Sequence, residues 1–585
     1  MTRKRSRLAT LVAASVTAVV LLTIAGSAFA QEVVWTHQFG GEGFDLGLAV
    51  AGDETGAYVA GGASNAIPGE AAFGSLDAFI RKVDPSGTPL WTDQFGTADF
   101  ERIEGIGLDA GAVYVAGSTS GVLPGQVSSG LYDGFVRRYS SDGEVVWTLQ
   151  FGTSLDDEVR DVAAEGGAVY LVGATNGVLG PGGGGATDIF VRKLDGNGAT
   201  LWTRQLGGSG PDAGDGVVVH DGSVYVVGCT GWFCGSFNNA DAYLARLNAD
   251  DGSVVWERVF GDPSEQDEAL DVAADSTGIY VAGWTRGALP EQTSAGFLDG
   301  YVRKYNVDGD VSWTRQFGTA FDERVHGIAA RSGRVYVVGV TSGALPGQVS
   351  HGFDDVFVSA FDGTSGADRW SLQFGSTSGE SGRAVTALAD RLYIAGDGVV
   401  SGPVVFPTTL PDAFVARIGI DNTPPVLTLP AQVIADATSP DGAVVNYVVT
   451  AEDDLDPNPT IDCDPASGST FPIADNAVDC SATDASGNSS ATARFPVHVK
   501  GATEQLTDLI ATIKNYNLAK LGTSLTDKLV TAQRMLAAGK KQQACDNLTS
   551  FISQVKASGN VKRLSTSQVD DLTGRAQQIK TVIGC

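Results

Sequence analysis

Trp91-Thr92-Asp93-Gln94-Phe95-Gly96 is one copy of a phrase that this chain repeats seven times. Five copies read W-T-x-Q-[FL]-G, and the other two keep the tryptophan and the glycine. The tryptophan recurs every 54 to 57 residues, at Trp35, Trp91, Trp147, Trp202, Trp256, Trp313 and Trp370. In a β-type sequence, a period of this size is typical of an array in which each unit buries its faces only against its neighbours.

The unit around Trp313 shows how many strands one repeat holds. Short apolar stretches with alternating or β-branched residues, such as 335–339 and 355–358, are typical of strands. With 326–329 and the tryptophan phrase itself, each unit has four strands, joined by turns of the Asp-Gly and Asn-Gly type. Seven such units predict a seven-bladed β-propeller over residues 31–420.

The two ends of this array are incomplete in complementary ways. The first unit begins at Val33-Val34-Trp35 without the strand that normally precedes it. The last unit ends at 412–417 without a tryptophan strand. Pairing the two would close the ring and remove two open sheet edges. We therefore predict that residues 33–39 form the outer strand of the last blade.

Two acidic residues recur in every unit. One lies 13 residues before the tyrosine of each Y-V-A-G-type strand, at Asp45, Glu101, Asp157, Asp212, Asp267, Glu323 and Glu380. The other opens each third strand, at Asp77, Asp133, Asp188, Asp241, Asp299, Asp355 and Asp412. We expect both series on the face that carries the long variable loops, mainly as caps that accept hydrogen bonds from turn amides. A Ca²⁺ site is the alternative, and no catalytic, cofactor-binding or metal-ligating residue is assigned.

Aromatic residues at the start of two variable loops are candidate ligand contacts. Trp232 and Phe233 lie inside the short Cys229–Cys234 interval, and Trp284 follows the fifth Y-V-A-G strand. Exposed aromatic side chains there could stack on sugars or anchor a protein partner. Local packing under the loop is the other interpretation.

The composition limits the location and the partners. A net charge of −29 argues against nucleic-acid binding. Basic residues at the N-terminus precede an apolar run and Ala28-Phe29-Ala30, which predicts a signal peptide over residues 1–30. An uncleaved anchor is the alternative, and we expect no transmembrane segment after cleavage. We therefore expect a secreted or cell-surface protein.

Six cysteines fit an exported chain. Their placement predicts the disulfides Cys229–Cys234, Cys463–Cys480 and Cys545–Cys585, although sequence alone does not prove the pairing. The five histidines are scattered and no C-x-x-C pair occurs, so we expect no metal site built on these residues.

Units of the form D-[AG]-F-[VI]-R-K, W-T-x-Q-F-G and Y-V-A-G resemble the bacterial SBBP-type seven-bladed propeller repeat over residues 32–420. The resemblance implies an exported or surface-exposed propeller without a generally assigned reaction.

Two further modules follow the repeats. Residues 421–501 hold short alternating strands, and the stretch 471–488 resembles the hyalin-type (HYR) repeat, which implies an immunoglobulin-like β-sandwich of adhesive or spacer kind. The acids of 452–456 could bind Ca²⁺ or form a solvated loop. Residues 502–585 have helical periodicity, predict a small four-helix bundle with Thr523 or Ser524 capping its second helix, and resemble a FIMAH-type domain.

These features predict a monomeric binding or adhesion protein that uses the loop face of the propeller to recognise a protein or glycan ligand outside the cell. No cofactor is expected, and Ca²⁺ is possible. The alternative is a secreted enzyme on a propeller scaffold, either a quinone- or metal-dependent oxidoreductase or a carbohydrate-active hydrolase. The sequence has no Cys-Cys pair, no sialidase Asp box and no G-x-S-x-G motif, which disfavours that alternative.

Overall fold

The computed structural model describes residues 32–231, 240–398, 411–421, 423–453, 456, 458–484 and 486–585. The expected signal peptide and the candidate residues Trp232, Phe233 and Cys234 lie outside this part of the chain. Within it, no helix is long and apolar enough to cross a membrane.

The first 28 strands form seven four-stranded antiparallel sheets, which are the blades of a propeller. Blades 1 to 3 comprise β2 (Asp45–Asp53), β3 (Gly56–Ala63), β4 (Asp77–Val83), β5 (Pro89–Phe95); β6 (Glu101–Asp109), β7 (Ala112–Thr119), β8 (Asp133–Ser140), β9 (Val145–Phe151); β10 (Asp157–Glu165), β11 (Ala168–Thr175), β12 (Asp188–Asp195), β13 (Thr200–Leu206). Blades 4 to 6 comprise β14 (Asp212–His220), β15 (Ser223–Thr230), β16 (Asp241–Asn248), β17 (Val254–Phe260); β18 (Asp267–Asp275), β19 (Gly278–Thr285), β20 (Asp299–Tyr305), β21 (Val311–Phe317); β22 (Glu323–Arg331), β23 (Arg334–Thr341), β24 (Asp355–Asp362), β25 (Asp368–Phe374).

Blade 7 combines the two ends of the array. It contains β26 (Ser381–Ala387), β27 (Arg391–Gly398) and β28 (Asp412–Gly419), and its outer strand is β1 (Glu32–Phe39). The β1 strand runs antiparallel to β28, with Trp35 opposite Arg417 and Phe39 opposite Ala413. The innermost strands contact one another in cyclic order, and β2 contacts both β6 and β26. The predicted closure by residues 33–39 is confirmed.

In six of the seven blades, the repeated tryptophan joins the blade to the next one. The indole nitrogen of Trp91 in blade 1 donates to the carbonyl of Ser141, in the turn between the last two strands of blade 2. Its ring also lies against Gly143 of that turn, where φ is +89° and a Cβ would come within 2.7 Å of the indole. Five further blades repeat the indole bond, through Trp35, Trp147, Trp202, Trp256 and Trp313. The tryptophan period is therefore the period of inter-blade packing.

Each innermost strand carries a β-bulge at the same place, because its register shifts by one residue after the third position. A bulge leaves one residue unpaired in the ladder. The seven unpaired residues line a central cavity of about 230 Å³, and they are Leu48, Glu104, Arg160, Asp215, Leu270, His326 and Arg383.

The second module contains short strands around its own apolar core. One four-stranded sheet has the order β30-β36-β35-β33, and β29 pairs with β32 and β31 with β34. The bounds are β29 (Val426–Thr428), β30 (Val433–Asp436), β31 (Ala443–Val444), β32 (Thr450–Glu452), β33 (Thr460–Asp464), β34 (Thr470–Phe471), β35 (Asp475–Thr483) and β36 (Ala493–Lys500). Cys463 and Cys480 are bonded to each other across β33 and β35.

Four helices follow, α1 (Ala502–Asn515), α2 (Ala519–Ala537), α3 (Lys541–Asn560) and α4 (Thr566–Ile583), and all four contribute to one core. Cys545 and Cys585 form the expected disulfide between α3 and the last residue. The prediction that Thr523 or Ser524 caps the second helix is wrong. The α2 helix begins at Ala519, since Leu518 and Leu521 pack against the core and extend it backwards.

Candidate functional site: the loop face

One face of the propeller carries the long loops between the second and third strands of each blade and the turns before each innermost strand. We call it the loop face, and the opposite side, with the remaining hairpin turns, the turn face. Both acid series open strands at the loop face. The first series begins the innermost strands, or precedes β26 in the case of Glu380, and the second begins the third strands.

The first acid series is buried, with each residue at most 1% exposed. Each carboxylate accepts a hydrogen bond from a backbone amide at the start of the turn before its strand. Glu101 accepts from the Thr97 amide at 2.6 Å and from the hydroxyls of Thr97 and Thr119. This is the geometry of a turn cap, because the carboxylate pairs amides that the turn would otherwise leave unpaired.

The second acid series fixes the ends of the long loops. Asp77 accepts from the amides of Phe73 and Gly74 at 2.8 and 2.9 Å, and from the side-chain amide of Gln94 at 2.9 Å. All members except the half-buried Asp241 are buried. Equivalent loop amides bond to Asp133, Asp188, Asp299 and Asp355.

The glycine that ends the tryptophan phrase lies between the two series. A Cβ on Gly96 would come within 2.6 Å of the Asp77 Oδ1 atom and 2.7 Å of the Glu101 Oε2 atom. Glycine is required here because the acid of one blade and the acid of the next approach the same α-carbon from two sides. Gly40, Gly152, Gly318 and Gly375 repeat this arrangement.

These neighbouring acids also influence one another's ionisation. Burial, helped by the charge of Asp412 in β28, raises the pKa of Asp45 to about 6, against hydrogen bonds that lower it. Burial raises the pKa of Asp267 to about 7, with Asp241 acting in the same direction. The acids of the first series are thus held in a desolvated layer beneath the loops.

One cluster of acids at the turn face has metal-ligand spacing. Oxygens of Asp421, Asp453 and Asp484 lie within 4.8 Å of one another. Asp421 accepts from the Thr423 amide and from the Ser486 hydroxyl, and burial raises the pKa of Asp484. Sequence reasoning selected Asp453 through the 452–456 run. It missed the other two because they are distant in sequence.

The central cavity holds charges that sequence reasoning did not single out. Arg160 pairs with Asp215 of the next blade at 2.7 Å, and Arg383 pairs with Asp397 at 2.7 Å. Burial lowers the pKa of His326 to about 3, so its ring is neutral, and Nδ1 lies 2.8 Å from the Gly382 carbonyl. A sequence signal for these residues exists. At the fourth position of each innermost strand, counted from the capping acid, the residue type changes from blade to blade, whereas the sixth position is always aliphatic.

Exposed apolar side chains remain on the loop face. Phe353 is 80% exposed, Leu131 63% and Phe321 60%, and Phe73 and Phe297 are about half exposed. Neighbouring blades bring some of them together. Leu298 and Asp322 form a parallel bridge between blades 5 and 6, which places Phe297 and Phe321 side by side on adjacent segments.

Of the three aromatic candidates, the structure describes Trp284 alone. It lies in β19, opposite Glu268 and Gly300, and is half-buried. The guanidinium of Arg324, from the next blade, lies 5.8 Å from its ring. Trp232 and Phe233 lie outside the described residues, as does Cys234, while Cys229 is disulfide-bonded.

Comparison with known proteins agrees with this fold. A family model described as outer membrane protein assembly factor BamB matches residues 187–470, from blade 3 into the second module. The regulatory protein FlaEY of Caulobacter vibrioides is 25% identical over 387 residues, covering 55% of this chain and 39% of that protein. The chain thus spans about two fifths of that curated relative.

Solved structures with a similar arrangement have low identity. A quinohemoprotein alcohol dehydrogenase from Comamonas testosteroni is 11% identical with a TM-score of 0.37, covering 69% of this chain and 79% of that chain. A europium-containing methanol dehydrogenase is 12% identical with a TM-score of 0.38, covering 67% and 93%. The WD40 propeller domain of Doa1 is 10% identical with a TM-score of 0.38, covering 66% and 98%. The seven sheets and the family model define a β-propeller protein.

Proposed function

We propose that this chain is an exported binding protein, and that its loop face recognises a protein or glycan ligand outside the cell. The observation that carries the proposal is the set of exposed apolar side chains on that face, above a layer of acids used as caps. Contiguous apolar patches exposed on a rigid scaffold usually mark a contact surface, and Phe297 and Phe321 lie on adjacent segments here. The two disulfides of the C-terminal modules favour an oxidising compartment, extracellular or periplasmic.

The C-terminal modules serve as spacer and attachment in this proposal. We interpret the propeller as SBBP-type, residues 421–501 as an HYR-like module of immunoglobulin type, and residues 502–585 as a FIMAH-like bundle, in a protein that acts as a monomer. The second module leaves the propeller at the turn face. A partner can therefore approach the loop face without meeting it.

Binding by matched surface variants tests the proposal. The triple variant F297S/F321S/F353S removes apolar contacts from the loop face. The control L90S/V145S/V146S removes side chains of similar exposure from the outer strands of blades 1 and 2. On glycan arrays and against purified cell-surface proteins, we expect the loop-face variant to lose at least tenfold in affinity, which corresponds to about 1.4 kcal/mol. The control should bind like the unmodified protein.

The enzyme alternative predicts a different result. Purified protein would turn over a sugar or an alcohol in a screen with and without Ca²⁺ and a quinone, and neutralising acids of the loop face would abolish it. Turnover of that kind, or equal loss of binding in both triple variants, would overturn the proposal.

A further inference from the structure

Blade 7, the next blade after blade 6, lacks the turn between its third strand and its outer strand. In every other blade, the turn after the third strand leads into the outer strand, and the preceding blade donates hydrogen bonds to it, as Trp313 does to the Gly363 carbonyl at 3.2 Å. In blade 7, these two strands come from opposite ends of the array. The chain therefore continues from Gly419 into the second module instead of turning back.

The sequence of blade 6 departs from the repeat at this boundary. The sixth residue of the third strand is basic in the other six blades and donates to the turn of the next blade, as Lys304 does to the Gly363 carbonyl at 2.7 Å. The others are Lys82, Arg138, Lys193, Arg246 and Arg417. Blade 6 has Ala360 at this position. Blade 6 therefore lacks the basic side chain of the third strand at the same boundary at which blade 7 lacks the turn that this side chain would contact.

A guanidinium from the neighbouring strand takes its place. Arg334 begins β23, where blade 5 has Gly278, and a Cβ on that glycine would come within 2.7 Å of the Lys304 Cε atom. In blade 5 the two positions therefore share one space, and in blade 6 the residue of the second strand fills it. Arg334 donates to the Asp421 carbonyl at 3.0 Å and also to the side chain of Asn488.

A second guanidinium contacts a turn of the second module. Arg369, directly before Trp370, donates to the carbonyls of Ser486 and Gly487 at 3.4 and 3.2 Å. Within the propeller, Arg258 makes the same kind of contact with the turn of the next blade, donating to the Gly309 carbonyl at 2.9 Å. Arg204 and Arg315 do so as well.

We propose that the turn containing Ser486, Gly487 and Asn488 occupies, on blade 6, the place of the turn that blade 7 lacks. The second module is then a permanent part of the propeller and unfolds with it. The contact is desolvated, since Asp421 and Ser486 are each 2% exposed and Asn488 is 8% exposed. Separating the parts would expose polar groups that are now paired with each other. The guanidinium of Arg369 contacts a tight turn that presents the carbonyls of Ser486 and Gly487. This arrangement directs the module away from the loop face.

The variant Ala360→Lys tests this in the full chain. Lysine occupies this position in blades 1, 3 and 5, so the propeller tolerates it, but here it competes with Arg334 for space and repels it. Calorimetry of the unmodified protein should show the propeller and the second module unfolding in one transition. In Ala360→Lys, we expect a separate transition for the module about 4–8 °C lower, and a larger maximum dimension by small-angle X-ray scattering.

Arg258→Ala is the matched control, because it removes a guanidinium-to-turn contact that does not involve the module. It should lower the single transition without splitting it and without changing the scattering profile. Separate transitions in the unmodified protein would overturn the proposal. A second variant, Arg369→Ala, removes the contacts with Ser486 and Gly487 and should also give a separate transition for the module. Unchanged calorimetry and scattering in both Ala360→Lys and Arg369→Ala would likewise overturn the proposal.

Discussion

Gln94 donates a hydrogen bond from Nε2 to the Oδ2 atom of Asp77 at 2.9 Å, and this contact connects the two repeated signals of the chain. The glutamine is the fourth residue of the tryptophan phrase, and the aspartate opens the third strand of the same blade. Five other blades repeat the bond, with Gln150–Asp133, Gln205–Asp188, Gln316–Asp299, Gln373–Asp355 and Gln38–Asp412. The glutamine also accepts from the loop, as Gln94 does from the Ile67 amide. The repeat therefore specifies how each variable loop is anchored.

Replacing one capping acid tests the role of the acid series. Asp133→Ala removes the acceptor of the Ser129 amide and of Gln150, so we expect the free energy of unfolding to fall by about 0.5–2 kcal/mol. EDTA should leave the free energy of unfolding of both the unmodified protein and Asp133→Ala unchanged, because a capping carboxylate needs no ion. The exposed Asp142 supplies the control, since Asp142→Ala should be nearly neutral. A loss of stability with EDTA that Asp133→Ala abolishes would point to a metal instead.

The glycine between the two acids is a second test. Gly152→Ala places a Cβ within 2.3 Å of Asp133 Oδ1 and 2.9 Å of Asp157 Oδ2, and we expect a loss of about 1–3 kcal/mol in urea unfolding. Gly208→Ala is the control, because nothing lies within 4 Å of its Cβ position. Equal stability of the two variants would show that the acids do not define this position.

The buried acids predict a pH dependence. Burial raises the pKa of Asp267 to about 7, so the folded state favours its protonated form. Its contribution to stability is then fully present below the pKa of the unfolded chain, near 4, and is lost as the pH rises through about 7. Asp267→Asn stays neutral throughout. Its stability relative to the unmodified protein should therefore rise by about 1–3 kcal/mol between roughly pH 4 and pH 8. A difference that does not vary with pH would contradict this assignment.

The helical module offers a stabilising substitution. Gly574 lies within α4, is exposed, and has nothing within 4 Å of its Cβ position. Because glycine costs helix stability relative to alanine, Gly574→Ala should stabilise the module by about 0.5–1 kcal/mol. Chemical unfolding monitored at the helical circular dichroism signal measures it. A decrease in stability would mean that this stretch is not a regular helix.

Much of the propeller could be predicted from the sequence because its signals repeat. Seven copies of one phrase fix the strands, and the incomplete ends predict the pairing of β1 with β28. The acids could be placed on one face because each opens a strand at a constant distance from the Y-V-A-G tyrosine. An ambiguous secondary-structure assignment in one repeat can be resolved by comparison with the other six. An element that occurs once offers no such comparison. The start of α2 was accordingly misplaced, because contacts of Leu518 and Leu521 with distant residues decide it.

Other features depend on three-dimensional convergence. The cavity-lining ring arises from a bulge, and a bulge has no strong sequence signal of its own. The exchange of Ala360 and Arg334 is visible only when two strands lie side by side. Asp421, Asp453 and Asp484 meet because the linker and two loops of the second module converge. The recognition proposed for the loop face would depend on the side chains of the variable loops, and these have no period.

The central claim is that the N-terminal strand closes the ring, and peptide complementation tests it most directly. A chain that begins at residue 41 should expose the edge of β28, melt at a lower temperature and aggregate. A synthetic peptide of residues 31–40 should restore the melting temperature and the monomer by pairing with that edge. The same peptide with Trp35→Ala should restore less, because it lacks the indole bond to the Pro85 carbonyl. An unchanged melting temperature in the truncated chain, with no response to the peptide, would contradict the claim.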